Sequence, residues 1–311
     1  MRWRRVAMLA PVIVSVLLVG ACSPVVPFMP EPSQVPHGQG RLWQVDGDGI
    51  ETSYVFASFY RPDKRVLSLP PAAEAALEKS ETMALQGTED PYIVAEIYTE
   101  ENLEMPGGET LEGLIGARSY GILTWHMKQH QRAPNDKIKP WVMWIYMGGL
   151  NFGYADFDDS VDHRAYQTQE AWLEERAFGA GKRIVELEGE QEYFEIFDKI
   201  PLEQQVDMLK VVLDRYEGLP PQVHKTQLYL DGDLATLDAV WRDYLGWLQP
   251  ATAETLDDRV INDRNPVMVE RMLPLMQEHP TFVAVDYSHL PGEQGVLRLL
   301  ERRGLTIRPL F

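Results

Sequence analysis

One cysteine, Cys22, is all that this 311-residue chain holds, so no intrachain disulfide can form. Once that thiol is acylated no cysteine nucleophile remains, which excludes cysteine-protease chemistry. Positive charge is scarce too: 29 Lys and Arg stand against 47 Asp and Glu, for a formal net charge of −18. Nucleic acids and anionic lipid surfaces are held by clustered cations, so neither is expected as a partner. The most apolar stretch, residues 6 to 19, falls short of the ~20 residues that span a bilayer. There is no His-Glu-x-x-His zinc motif. His126 and His130 lie one helical turn apart, but Met127-Lys-Gln separates them and no glutamate follows His126, so they read as a solvated helix face. The acidic loop Asp156-Phe-Asp-Asp-Ser-Val-Asp162, with His163 after it, has calcium-like carboxylate density without the glycine and closing glutamate of an EF-hand. It reads as surface. No Gly- or Ser-rich linker divides residues 41 to 311, which read as one domain.

What is present begins with an address. Arg2, Arg4 and Arg5 precede the apolar stretch, and Leu18-Val19-Gly20-Ala21-Cys22 resembles a bacterial lipobox. A lipoprotein signal peptide over residues 1 to 21 is expected, with Cys22 lipidated, palmitate included, as the mature N-terminus. Residues 1 to 21 hold three arginines and no acid, so their removal takes the net charge from −18 to −21. The membrane is then reached through Cys22, and more than one acyl chain gives stable anchoring. Ser23 stands where an aspartate would resemble an inner-membrane retention signal, which favours an outer-membrane lipoprotein facing the periplasm. Residues 22 to 40, with Pro24, Pro27, Pro30, Pro32 and Pro36, read as an extended tether.

The domain opens with two β-branched or aromatic runs, residues 41 to 45 and 53 to 60, around the turn Asp46-Gly-Asp-Gly49. Pro70 and Pro71 start an alanine-rich helix to about Ser80. Met83-Ala-Leu-Gln86 and Tyr92-Ile-Val-Ala-Glu-Ile-Tyr98 then read as strands. Apolar spacing of three and four predicts helices over 109–130, 140–149, 165–179, 202–216, 233–247 and 265–278, interrupted by a strand at 182–188. Strand 281–287, helix 292–303 and an edge strand at 305–310, where Pro309 is tolerated, close the chain. The pattern predicts an α/β (α+β) fold, a mixed central sheet flanked by many helices, with a helical insertion over about 100 to 180. Trp125, Trp141, Trp144 and Tyr146 read as core rather than as a ligand platform.

The polar exit of the 281–287 strand carries the lone His289, beyond a strand's carboxyl end, where α/β folds keep their chemistry. Asp286-Tyr-Ser-His289-Leu-Pro-Gly292 resembles the C-terminal Gly-x-x-His-Leu-Pro-Gly signature of the TraB/GumN family, related to the Tiki metalloproteases. Leu42-Trp43, Ala57-Ser-Phe-Tyr60, Leu187-Glu188 with Gln191, Gln204-Gln205, Gly232-Asp233, and Asp263-Arg264-Asn265 with Met268 resemble other family segments, in the family's order.

The resemblance implies a TraB/Tiki-like fold over 41 to 311. In active members two Gly-x-x-His turns and a strand glutamate are thought to gather a divalent metal for peptide hydrolysis. The positions here are Tyr60, Gln86 and His289, the first two in place of histidine and glutamate, and Ala57 and Asp286 replace the two glycines. A catalytic zinc uses about three protein ligands with a fourth position left open, and a neutral phenol and amide do not supply them. His289 is therefore the one metal ligand that survives, and Glu89, Asp90 and Asp286 are the carboxylates near enough in sequence to replace the others. The side chains of Asp286, Tyr287 and Ser288 are expected to fill the pocket, with His289 bracing the strand exit. Arg264 and Asn265, at a helix start, either orient a ligand or, for Asn265, cap the helix. The expected function is a non-catalytic or altered-site relative that binds a peptide or envelope protein. Its rival is a Tiki-type metal-dependent peptidase or hydrolase with replacement ligands.

Overall fold

The computed structural model describes residues 34–60, 63–87, 91–129, 132–133, 135–148, 168–215 and 224–311. Cys22, Glu89, Asp90, His130 and the acidic loop through His163 lie outside them.

Runs of β-branched and aromatic residues form β1 (Leu42–Asp46) and β2 (Ser53–Ser58), paired antiparallel with Leu42 opposite Phe56. The turn between them uses Gly49 at φ 78°, a conformation that glycine adopts without strain. A proline opens α1 (Pro71–Lys79), which leads to β3 (Thr82–Leu85). The helices α2 (Pro91–Ile97), α3 (Glu100–Leu103), α4 (Leu111–Ile115), α5 (Ala117–Gln129), α6 (Pro140–Tyr146) and α7 (Gln169–Gly179) precede β4 (Arg183–Glu186). Next come α8 (Glu190–Asp198), α9 (Leu202–Arg215), α10 (Lys225–Leu230), α11 (Leu234–Leu245) and α12 (Pro250–Asp257). One π-helical turn, Asp258–Asn262, joins α12 to α13 (Arg264–Glu278). The chain ends with β5 (Thr281–Asp286), a 3-10 turn at Tyr287–His289, α14 (Val296–Arg302) and β6 (Thr306–Pro309).

The six strands make one mixed sheet in the order β4-β3-β5-β2-β1-β6, an α/β fold as expected. The strands β4, β3, β5 and β2 run parallel, so their carboxyl ends emerge along one edge. Side chains alternate between faces. Val55 and Ala57 of β2 pack toward α13 and α14 with Met268, Met272 and Leu300. Tyr54 and Phe56 face the other way, toward Ala73 and Leu77 of α1 and Leu173 of α7. Both faces are thus covered, which is why β2 is buried along its whole length.

A separate helical core, with Leu123, Trp141, Trp144, Phe197, Met208, Tyr244 and Ile261, is built from α4 to α6, α8, α9, the end of α11 and the π turn. It is therefore not one continuous insertion, and α7 belongs to the sheet instead, packing Leu173 and Ala177 into its core. Trp141 and Trp144 are core as read, whereas Trp125 is exposed.

Three other readings change. Residues 92–98, read as a strand, form α2: with Pro91 at its start, helical spacing exposes Tyr92 and Ile93 and buries Ile97. The 109–130 helix is broken in two by Gly116 at φ 83°. The tether is docked from Pro36 onward, where Pro36 O accepts from Gly292 N at 2.8 Å and Gly40 N donates to Gly232 O at 2.8 Å.

Candidate binding site

Four parallel strands deliver four exits to the same edge, and each exit carries a polar residue. Tyr60 follows β2, Gln86 follows β3, Glu188 follows β4 and His289 follows β5; all four line one cavity of about 460 Å³. Register makes this exact in space: Gln86 N donates to Ala284 O at 3.0 Å, and Glu188 N donates to Gln86 O at 2.8 Å. The structure therefore brings Tyr60, Gln86 and His289 to one site, with Arg264 and Asp286 on the same wall.

Hydrogen bonds run through the base of this wall in one direction. The Asp286 N–H donates to Gln86 Oε1 at 2.8 Å, so the Gln86 amide must turn its NH2 toward His289, whose Nε2 lies 3.2 Å away. A ring nitrogen facing an NH2 group accepts, which leaves the proton on Nδ1. Nδ1 is 2.7 Å from Asn265 Oδ1, and Asn265 Nδ2 in turn donates to Gln294 O at 2.8 Å. Both ring nitrogens of His289 are engaged with the ring neutral. Burial, and then the nearby Arg264 charge, hold its pKa well below the ordinary histidine value.

Asn265 does not cap its helix. It is fully buried and holds His289, while Asp263 occupies the N-cap position without a side-chain cap bond. Arg264 grips Glu188 with two hydrogen bonds, Nε to Oε1 at 2.8 Å and Nη2 to Oε2 at 2.6 Å, and donates through Nη1 to Val260 O at 2.8 Å. That third bond ties it to the π turn, whose Val260 and Ile261 also line the cavity.

The pocket is open rather than filled. Asp286 folds back on its own turn, accepting from Ser288 N at 3.0 Å and from Ser288 Oγ at 2.5 Å. Tyr287 packs against Phe59 and Tyr229, with ring centroids 6.1 Å and 6.5 Å away. The extra side chains are thus drawn into the wall. Tyr60, about half exposed at 52%, borders the opening.

A divalent metal does not fit these residues. The Nε2 lone pair that would bind it accepts the Gln86 amide, and among the described residues no three His, Cys, Asp or Glu side chains are grouped as a metal site requires.

A family model described as the TraB/PrgY/gumN family matches residues 41–309. The chain belongs to the TraB/PrgY/gumN family. Comparison with curated proteins finds no match, and comparison with solved structures finds none.

This TraB/PrgY/gumN domain has cavity residues that sequence reasoning did not single out. Glu188 was named only within the Leu187-Glu188 segment of the resemblance, and its site role was findable, since it leaves β4 as Gln86 leaves β3. Lys225, Asp238, Tyr193 and Trp241 had no such signal, because the apolar stripes of α8 and α11 mark their core faces and say nothing of the polar or aromatic side chains beside them, and α10 is only six residues long. Tyr193 is buried deeply enough that desolvation raises its phenol pKa. Asp238 is likewise raised by burial, against the opposing pull of Arg242.

Proposed function

We propose that this chain is a periplasm-facing outer-membrane lipoprotein whose TraB/PrgY/gumN domain works by binding a ligand, a peptide or an envelope protein segment, in the strand-exit cavity. One observation carries the non-catalytic part of the reading: the Gln86 amide occupies the Nε2 position of His289 that a metal would use. The cavity's size supports the binding part, since about 460 Å³ falls within the roughly 300–1,000 Å³ of small-ligand sites. The Arg2 to Cys22 pattern supports the anchor.

Neutral His289 has no free basic nitrogen, because Nδ1 donates and Nε2 accepts. It is a positioning residue that fixes the β5 exit. Digestion of a peptide library by the full chain, with and without added zinc, tests this. The library stays intact; cleavage that His289→Ala abolishes would overturn the reading.

A further inference from the structure

Charge in the cavity is unbalanced. Among the described residues five carboxylates, Glu170, Glu188, Glu190, Asp238 and Asp286, line it against two cations, Lys225 and Arg264, and His289 adds none because burial keeps it neutral. Arg264 is committed to Glu188 through its two-pronged contact. Acidic residues thus outnumber basic ones among the described lining residues, beside a set of aromatic rings that includes Tyr193, Trp241 and Tyr244.

At Asp238 the available positive charge is shared. Its partner Arg242, 3.3 Å away, also contacts Asp257 at 2.5 Å, so one guanidinium serves two carboxylates. Asp257 in turn accepts from Trp241 Nε1 at 3.0 Å, which fixes the indole one turn along α11 from Asp238. Trp241 and Tyr244 pack with centroids 5.7 Å apart, and both line the cavity with Asp238. A buried carboxylate beside aromatic rings is the chemistry that holds an organic cation, since a ring's quadrupole and the carboxylate attract the same charge. An anionic ligand would meet repulsion at that end.

We propose that the cavity selects ligands with an apolar body and a cationic head, an ammonium or guanidinium seated between Asp238 and Trp241. This rests on the binding reading above. It adds the sign of the ligand's charge and the end of the cavity that reads it.

Calorimetry on the full chain with three probes of one shape, phenethylammonium, phenethyl alcohol and phenylacetate, tests it. The ammonium is expected to bind about tenfold more tightly than the alcohol, and the phenylacetate most weakly. Asp238→Asn should remove the ammonium's advantage while leaving alcohol binding in place. Equal binding of ammonium and alcohol, or tighter binding of phenylacetate, would overturn the cationic selection and leave the binding cavity standing. If none of the three binds, both readings fall. Because the wild-type comparison needs no substitution, the result does not depend on how well the variant folds.

Discussion

A histidine whose Nε2 accepts from an amide holds a different chemical position from one that ligates a metal through the same atom. At His289 the choice is made by the backbone: Asp286 N–H claims the Gln86 oxygen and leaves only the NH2 for the ring. A glutamate at 86 would present an oxygen to both neighbours, so one nitrogen-for-oxygen exchange decides which protonation state the ring adopts. The buried, neutral ring has a consequence for stability. Above the unfolded-state pKa of ~6.5 both states are neutral and histidine contributes nothing to the pH dependence. Below it, the unfolded chain binds a proton that the folded one refuses, so stability falls on acidification, by up to about 1.4 kcal/mol per pH unit. Denaturant unfolding of the wild type and of His289→Gln between pH 7 and pH 5 should show a shallower decline in the variant. Parallel declines would mean that the ring is protonated in the fold. The residue identities at 60, 86 and 289 were legible in the sequence, and so was the shortage of metal ligands. The direction of the hydrogen-bond chain was not, because it is set by the Asp286 N–H, which reaches Gln86 from 200 residues along the chain, and is received by Asn265 from another helix.

At the scale of elements, the site exists because four parallel strands end in register, and because the turn after β5 is held at both ends. Gly295 is its tightest point: a Cβ there would lie 2.2 Å from Leu290 O and 2.5 Å from Pro291 O. Gly295→Ala is therefore expected to cost about 1–3 kcal/mol, as overpacking does, and to displace the turn that carries His289. A thermal melt unchanged from wild type would show that this backbone approach is not needed. The strands of the sheet could be read from their apolar runs, except that the 92–98 run has the composition of a strand and the spacing of a helix. With Pro91 before it, the chain takes the helix, which brings Val94, and Tyr98 just past its end, to the cavity. The six-residue α10 escaped notice because tertiary packing rather than local pattern stabilises helices of that length, whereas α8 was legible from its apolar stripe and the Glu192 carboxylate that accepts from Gly189 N at its start. They are the elements that bring Tyr193 and Lys225 to the site.

Across the whole molecule, a sheet core and a helical core meet at the strand exits, and the cavity lies where they meet. The excess of 47 acidic over 29 basic residues gives the domain little attraction to an anionic membrane, so the proposed anchoring falls to Cys22 alone. Replacement of that thiol, Cys22→Ala, is expected to abolish incorporation of labelled palmitate and move the protein out of the membrane fraction. Retention of the variant in the outer membrane would mean that another surface holds it there. Closure of the His289 Nε2 position by the Gln86 amide bears on the molecule's metal content. Metal analysis of the purified full chain after dialysis against zinc and then buffer measures it most directly. Far less than one divalent ion per chain is expected, unchanged in His289→Ala. One tightly held ion per chain, lost with that substitution, would contradict it.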